Sequence, residues 1–258
     1  MWALAFAIFV ALKWITWWTV RKQRTTSLGR SIAYLAAWPG MDAEAFLDPS
    51  RRPARPGVRQ WLWAVAKTSF GVVLLWGVAR RIPIDSLLRG WIGLVGLIYL
   101  LHFGSFHLIA LFWQANGVDA KPIMSNPAAS ATLSEFWGKR WNLGFRQLAH
   151  EFIFQPLVRR TNPAFAGLMV FVASGLIHDL VISLPAGGGY GLPTAYFLLQ
   201  GLGVLFERSA SAGRLGLQRK LPARVFALLV TAAPAFWLFH PPFVERVLIP
   251  FMHAIHGL

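Results

Sequence analysis

The chain has no cysteine. That removes disulfides, thiolate metal sites, iron–sulfur clusters and a cysteine nucleophile. Acidic residues are scarce too, ten against 25 Lys and Arg in 258 residues. Charged residues of both signs make up only 14% of the chain, where a soluble domain carries about 25%. The chain is therefore too poor in charge for an ordinary water-soluble domain. Disorder is excluded, because disordered chains are poor in apolar residues and this one is 56% apolar. A nucleic-acid binder with a net charge of +15 would gather its basic residues on one face of a soluble fold. Here they sit in short clusters between long apolar runs. Nucleic acid is not an expected partner; membrane lipid is.

A helix needs about 20 mostly apolar residues to cross a bilayer. Six runs approach that length: Trp2–Val20, Trp61–Ala79, Trp91–Trp113, Ala164–Leu184, Leu192–Phe206 and Val225–His240. The last two are short and contain Gly or Pro, which favours broken or tilted helices. Leu143–Val158 is amphipathic, and Phe243–Ile255 is a further short apolar stretch. The expected architecture is all-α, a polytopic integral membrane protein of about 6–8 transmembrane helices forming one domain over residues 1–258. In the first run the cations Arg21, Lys22 and Arg24 follow the apolar core. A cleavable signal peptide has the opposite order. The order found here puts the N-terminus outside. Alternating from there, the inner loops hold eight, six and five Lys or Arg, in residues 21–60, 114–163 and 207–224. The outer segments hold only Arg80, Arg81, Arg89 and Arg246. Most of the positive charge is thus accounted for by topology and contact with anionic lipid. An Ala-, Arg-, Gly- and Trp-rich composition points to a bacterial plasma membrane.

Metal chemistry finds no motif. There is no HxxHH or HExxH box, His102 and His107 are five residues apart and so off a common helical face, and His253 and His256 have no third ligand nearby. The run Pro185–Pro193 reads as a tight outer turn, since it lacks the Lys-Ser/Thr of a phosphate-binding loop. Ionisable groups within apolar spans are costly and so tend to be functional. Lys13 and Lys67 are read as snorkelling to the interface. His178 stands apart. It follows the small residues Ala173, Ser174 and Gly175 and lies 14 residues into the fourth run, about 21 Å along a helix. A neutral imidazole at that depth suits a general base or a hydrogen bond between helices. Upstream, two Trp, a Phe, two cations and an Asn crowd into Ser134–Asn142. That composition suits interfacial anchoring or a binding site.

The segment Phe136-Trp137-Gly138-Lys139-Arg140-Trp141-Asn142, followed by Ser174-Gly175-Leu176-Ile177-His178-Asp179, resembles the membrane-bound O-acyltransferase family, in particular its wax synthase branch. Tyr34–Met41, with Trp-Pro-Gly-Met, looks like an upstream signature of bacterial members. The motif-bearing core is about residues 114–184. The chain is shorter than most eukaryotic members, which bears on the acceptor pocket more than on the catalytic pair. The resemblance implies acyl transfer from acyl-CoA, as co-substrate and without a bound cofactor, to the hydroxyl of a lipophilic alcohol. It implies His178 and Asn142 as the catalytic pair, with Trp137, Lys139, Arg140, Trp141, Ser174 and Asp179 as substrate-binding residues. Lys139 and Arg140, on the inner face, would meet CoA phosphates. Asp179 points about 100° from His178, so it is not expected to be a direct dyad partner. A sterol, diacylglycerol or other hydroxyl is the alternative acceptor; a lipid or solute transporter is the alternative class, disfavoured by the lack of paired repeats.

Overall fold

The computed structural model describes residues 2–21, 26–83 and 87–257. Lys22 and Arg24, two of the cations behind the orientation inferred above, lie outside the described residues. Among the described residues there is no strand, and the fold is all-α. Five helices are long and apolar enough to cross a membrane: α1 (Trp2–Arg21), α4 (Val58–Arg81), α5 (Leu87–Ala115), α8 (Pro163–Ala186) and α11 (Lys220–Leu238). A sixth apolar helix, α9 (Leu192–Glu207), has 16 residues. Between them lie α2 (Leu28–Ala37), α3 (Ala43–Leu47), α6 (133–140), α7 (143–158) and α10 (Ala210–Arg214), and α12 begins at Pro241. Each of the six apolar runs is thus helical. The break expected in the sixth falls at Pro234, between Lys220–Ala232 and Ala235–Leu238. Proline there removes a backbone donor and crowds the preceding turn.

The helices form two compact units, Trp2–Met124 with Met252–Leu258, and Ser125–Phe251. In the first unit α4 and α5 approach through small residues. A side chain at Gly71 would stand 2.7 Å from the Gly96 carbonyl oxygen, and one at Gly96 would stand 3.0 Å from the Leu75 nitrogen. Such contacts replace the hydrophobic drive that lipid cannot supply. Tyr34, Trp38, Phe46 and Leu47 form an aromatic core under α2 and α3, with the Phe46 ring 5.2 Å from Trp113. Lys13 does not snorkel. It is 1% exposed, hydrogen-bonded to the Gly40 carbonyl, with its ammonium 3.4 Å over the Tyr34 ring. Lys13 thereby ties α1 to the Trp-Pro-Gly-Met segment. An amine met by a carbonyl oxygen and a π face can stay buried at a tolerable cost.

In the second unit α8 and α9 pack side by side. Gly175 makes this possible, since a Cβ there would be 2.6 Å from the Thr194 Cα. The spine of this unit is one face of α9. Gly203 leaves room for the Leu133 side chain, which would lie 2.7 Å from a Cβ at that position. The Glu207 carboxylate accepts from the backbone N–H of Leu133 at 2.5 Å and of Ser134 at 3.2 Å. Those are first-turn donors of α6 that no intrahelical carbonyl reaches, and an acid at a helix N-terminus also meets the helix dipole. α9 therefore carries α6 on its C-terminal end and α8 along its N-terminal half.

Candidate active site

The two sequence boxes come together on one cavity. It has a volume of about 400 Å³, and both Asn142 and His178 line it. One comes from the turn between α6 and α7 and the other from α8, 36 residues further along the chain.

His178 is the last residue of the regular α-helical part of α8, and a π-helical turn, Asp179–Ser183, follows. Such turns re-aim side chains and are frequent at functional sites. The His178 Nδ1 lies 2.7 Å from the Ser174 carbonyl oxygen. A carbonyl only accepts, so Nδ1 carries the proton. That fixes the tautomer and leaves the Nε2 lone pair able to accept a proton. No hydrogen-bond partner meets Nε2 among the described residues. The ring packs on Phe197, with centroids 4.4 Å apart. Ser174 is itself buried and returns its hydroxyl to the Val170 carbonyl at 2.9 Å. It acts on His178 through its backbone and also lines the cavity.

Asn142 sits between α6 and α7 in left-handed backbone conformation, φ 40° and ψ 61°. Asparagine enters that region more readily than most side chains. Its Oδ1 accepts from the Phe145 N–H at 3.3 Å, capping α7. A single left-handed residue so turns the chain from the π-helical turn Phe136–Arg140 into α7 and brings the Asn142 side chain to the cavity wall. Trp137 lies on the wall as well. Its Nε1 donates to the Gln200 Oε1 at 3.2 Å, and its ring meets Phe171 and Phe197 at 5.8 and 5.6 Å. Gln200, fully buried, passes the bond on to the Val230 carbonyl at 2.7 Å. Trp141 completes this aromatic side.

Three of the residues named from sequence lie elsewhere. The Arg140 guanidinium pairs with Glu135 at 2.6 Å and donates to the Ser125 carbonyl at 3.2 Å. Lys139 is exposed. Neither is part of the cavity wall. The Asp179 carboxylate turns to the start of α9, where it accepts from Gly191 N–H at 2.8 Å, Thr194 N–H at 3.1 Å and the Thr194 hydroxyl. The cations that do line the cavity are Arg146 and Arg208, with His150 beside them. Sequence reading passed over both arginines. The signal was there for one of them, because Arg146 follows Asn142 within the first turn of α7. Glu135 is held below its ordinary carboxylate value, first by the Ala131 backbone N–H and then by Arg140.

Residues 120–199 match the family described as "Membrane bound O-acyl transferase family". Both boxes and the whole of α8 fall within that match. That stretch of the chain is similar to this family. Half of it, over 142 residues, is 28% identical to a long-chain-alcohol O-fatty-acyltransferase of Simmondsia chinensis, covering 40% of that protein. A probable long-chain-alcohol O-fatty-acyltransferase of Arabidopsis thaliana is 31% identical over 53% of this chain and 43% of its own length. An acyl-CoA–sterol O-acyltransferase of Arabidopsis thaliana is 26% identical over 49% of this chain and 39% of its own. The chain thus spans about two fifths of the length of these relatives. The family match and the apolar helices together point to an integral membrane protein.

Proposed function

We propose that the protein transfers a fatty acyl group from acyl-CoA to the hydroxyl of a lipophilic alcohol. The observation that carries this reading is the convergence of Asn142 and an unpartnered His178 Nε2 on one cavity. The alcohol O–H hydrogen-bonds to Nε2, which takes its proton as the oxygen attacks the thioester carbonyl. The tetrahedral intermediate collapses with loss of CoA thiolate, and the imidazolium returns the proton to that sulfur. Ester and CoA leave, and His178 is again neutral. The oxyanion needs a donor, and the Asn142 amide is the group on the wall suited to supply it or to hold the thioester near it.

The cavity wall divides by chemistry. Arg146 and Arg208 suit the phosphates of CoA. Trp137, Phe171 and Phe197 suit an apolar chain and keep water from the thioester. Arg146 and Arg208 take over the role that the sequence assigned to Lys139 and Arg140. The same reading puts the Asn142 side of the cavity on the cytoplasmic face and the N-terminus outside, supported by the distribution of Lys and Arg. Its placement in a bacterial plasma membrane rests on composition alone.

The test is product analysis by mass spectrometry on protein purified in detergent. Palmitoyl-CoA is supplied with a panel of hexadecanol, a sterol and diacylglycerol, beside His178→Ala. A wax ester formed only by the wild type is the expected result. A sterol ester instead would move the acceptor while keeping the chemistry. Equal ester from both proteins would remove His178 from the mechanism.

A further inference from the structure

Next to His178 lies a second cluster of polar side chains that the proposed chemistry does not use. Besides its bonds to α9, the Asp179 Oδ1 accepts from the Ser183 hydroxyl at 2.8 Å. The Ser183 Oγ is 3.1 Å from the His240 Nε2, and Ser183 and His240 are both 0% exposed. Acid, hydroxyl and imidazole in contact invite comparison with a nucleophilic triad. The hydrogen bonds exclude that. The Phe243 N–H donates to the His240 Nδ1 at 3.3 Å, so Nδ1 is unprotonated and Nε2 carries the hydrogen. The imidazole therefore donates to Ser183 and has no lone pair to take the serine proton. That proton faces the Asp179 carboxylate at 2.8 Å and the Gly189 carbonyl at 3.2 Å; the carboxylate is the nearer and the charged acceptor, and the hydroxyl is closed to substrate. The chain of donors runs one way, from His240 through Ser183 to the carboxylate. The glycine turn serves the same end. Gly189 has a φ of +73°, and the His240 ring lies where a Cβ at Gly189 would be.

The carboxylate at the end of this chain holds the start of α9. It binds Gly191 and Thr194, and Phe197, one turn further on, is the residue against the His178 ring. We propose that Ser183 and His240 are positioning residues for the reaction. Through Asp179 they set where α9 begins against α8, and so hold the His178 ring between Phe197 and the Ser174 carbonyl. This inference rests on the reading of His178 as the base.

The two nitrogens of His240 do different work, and two substitutions separate them. Asparagine places an acceptor near the Nδ1 position, where it keeps the cap on Phe243 and loses the donor to Ser183. Glutamine places a donor near Nε2, where it keeps the link to Ser183 and loses the cap. kcat and the KM for palmitoyl-CoA are measured for the wild type, Ser183→Ala, His240→Asn and His240→Gln, alongside the rate of His178 carbethoxylation read by mass spectrometry. Ser183→Ala and His240→Asn are expected to lower kcat about 10- to 100-fold, the scale of a misplaced catalytic group, at unchanged KM. His240→Gln is expected to stay near wild type. Equal kcat for the Asn and Gln variants, or the reverse order, overturns the proposal. Should the wild type transfer nothing, the catalytic reading fails, and the labelling rate decides the positioning by itself. A His178 rate changed in His240→Asn but not in His240→Gln supports the link; the same rate in all proteins overturns it.

Discussion

On the proposed mechanism, single residues carry the chemistry. His178 has its Nδ1 committed to Ser174, and removing a general base costs roughly 10²- to 10⁴-fold in rate. His178→Ala is expected to fall by that amount in kcat while keeping its thermal unfolding midpoint, since the ring gives only one hydrogen bond to the helix. On the proposed mechanism Asn142 has two roles, a cap and a catalytic group, and they can be separated. Asn142→Gly tolerates the left-handed backbone, so it should fold well and lose transfer. Asn142→Ala adds strain of about 1–2 kcal/mol and the loss of a cap, about 1 kcal/mol. It should therefore unfold at lower temperature than Asn142→Gly in a detergent melt; equal melting of the two would deny the backbone role. His178 was legible in the sequence as a polar group within an apolar run, and Asn142 through the Trp- and cation-rich segment that ends on it. Arg146 and Arg208 were not, since a cation in a basic loop looks like any other until the cavity is seen.

At the scale of the helices, the second unit depends on close approach and capping. Gly175→Ala sets a methyl 2.6 Å from the Thr194 Cα. Backbone cannot yield as a side chain can, and overpacking typically costs about 1–3 kcal/mol. The variant should melt earlier and lose activity together, and wild-type behaviour in both would contradict the packing. α6 adds a pH dependence. Glu135 has a folded-state pKa below its ordinary 4.5 because of Ala131 and Arg140. Its contribution is then present above pH 4.5 and lost as pH falls below it. The pair is about a quarter exposed, so the contribution is modest. Glu135→Gln should flatten this part of the acid loss in a melting series from pH 7 to 3; an unchanged profile would assign the loss to other carboxylates. The spans themselves were readable from hydropathy. The π-helical turns were not, since nothing in Asp179–Ser183 or Phe136–Arg140 departs from ordinary helical periodicity. Nor was the fate of Lys13, whose partners are a carbonyl and a ring 27 and 21 residues away in the chain.

For the whole molecule, the distribution of Lys and Arg makes an orientation testable. The absence of cysteine leaves a clean background for single introduced thiols. Tyr190→Cys, in the turn before α9, is expected to react with an impermeant maleimide added to intact cells. Lys121→Cys, after α5, should react only once the membrane is opened. The opposite pattern would invert the topology and put the cavity's arginines on the side away from cytosolic CoA. The same absence of cysteine serves the most direct test of the central claim. Free CoA is followed with a thiol-reactive dye, to which the protein itself is silent, in detergent-purified samples given palmitoyl-CoA with and without hexadecanol. The account predicts release that requires the alcohol and is lost in His178→Ala. Release that ignores the alcohol, or that survives the loss of His178, would contradict it.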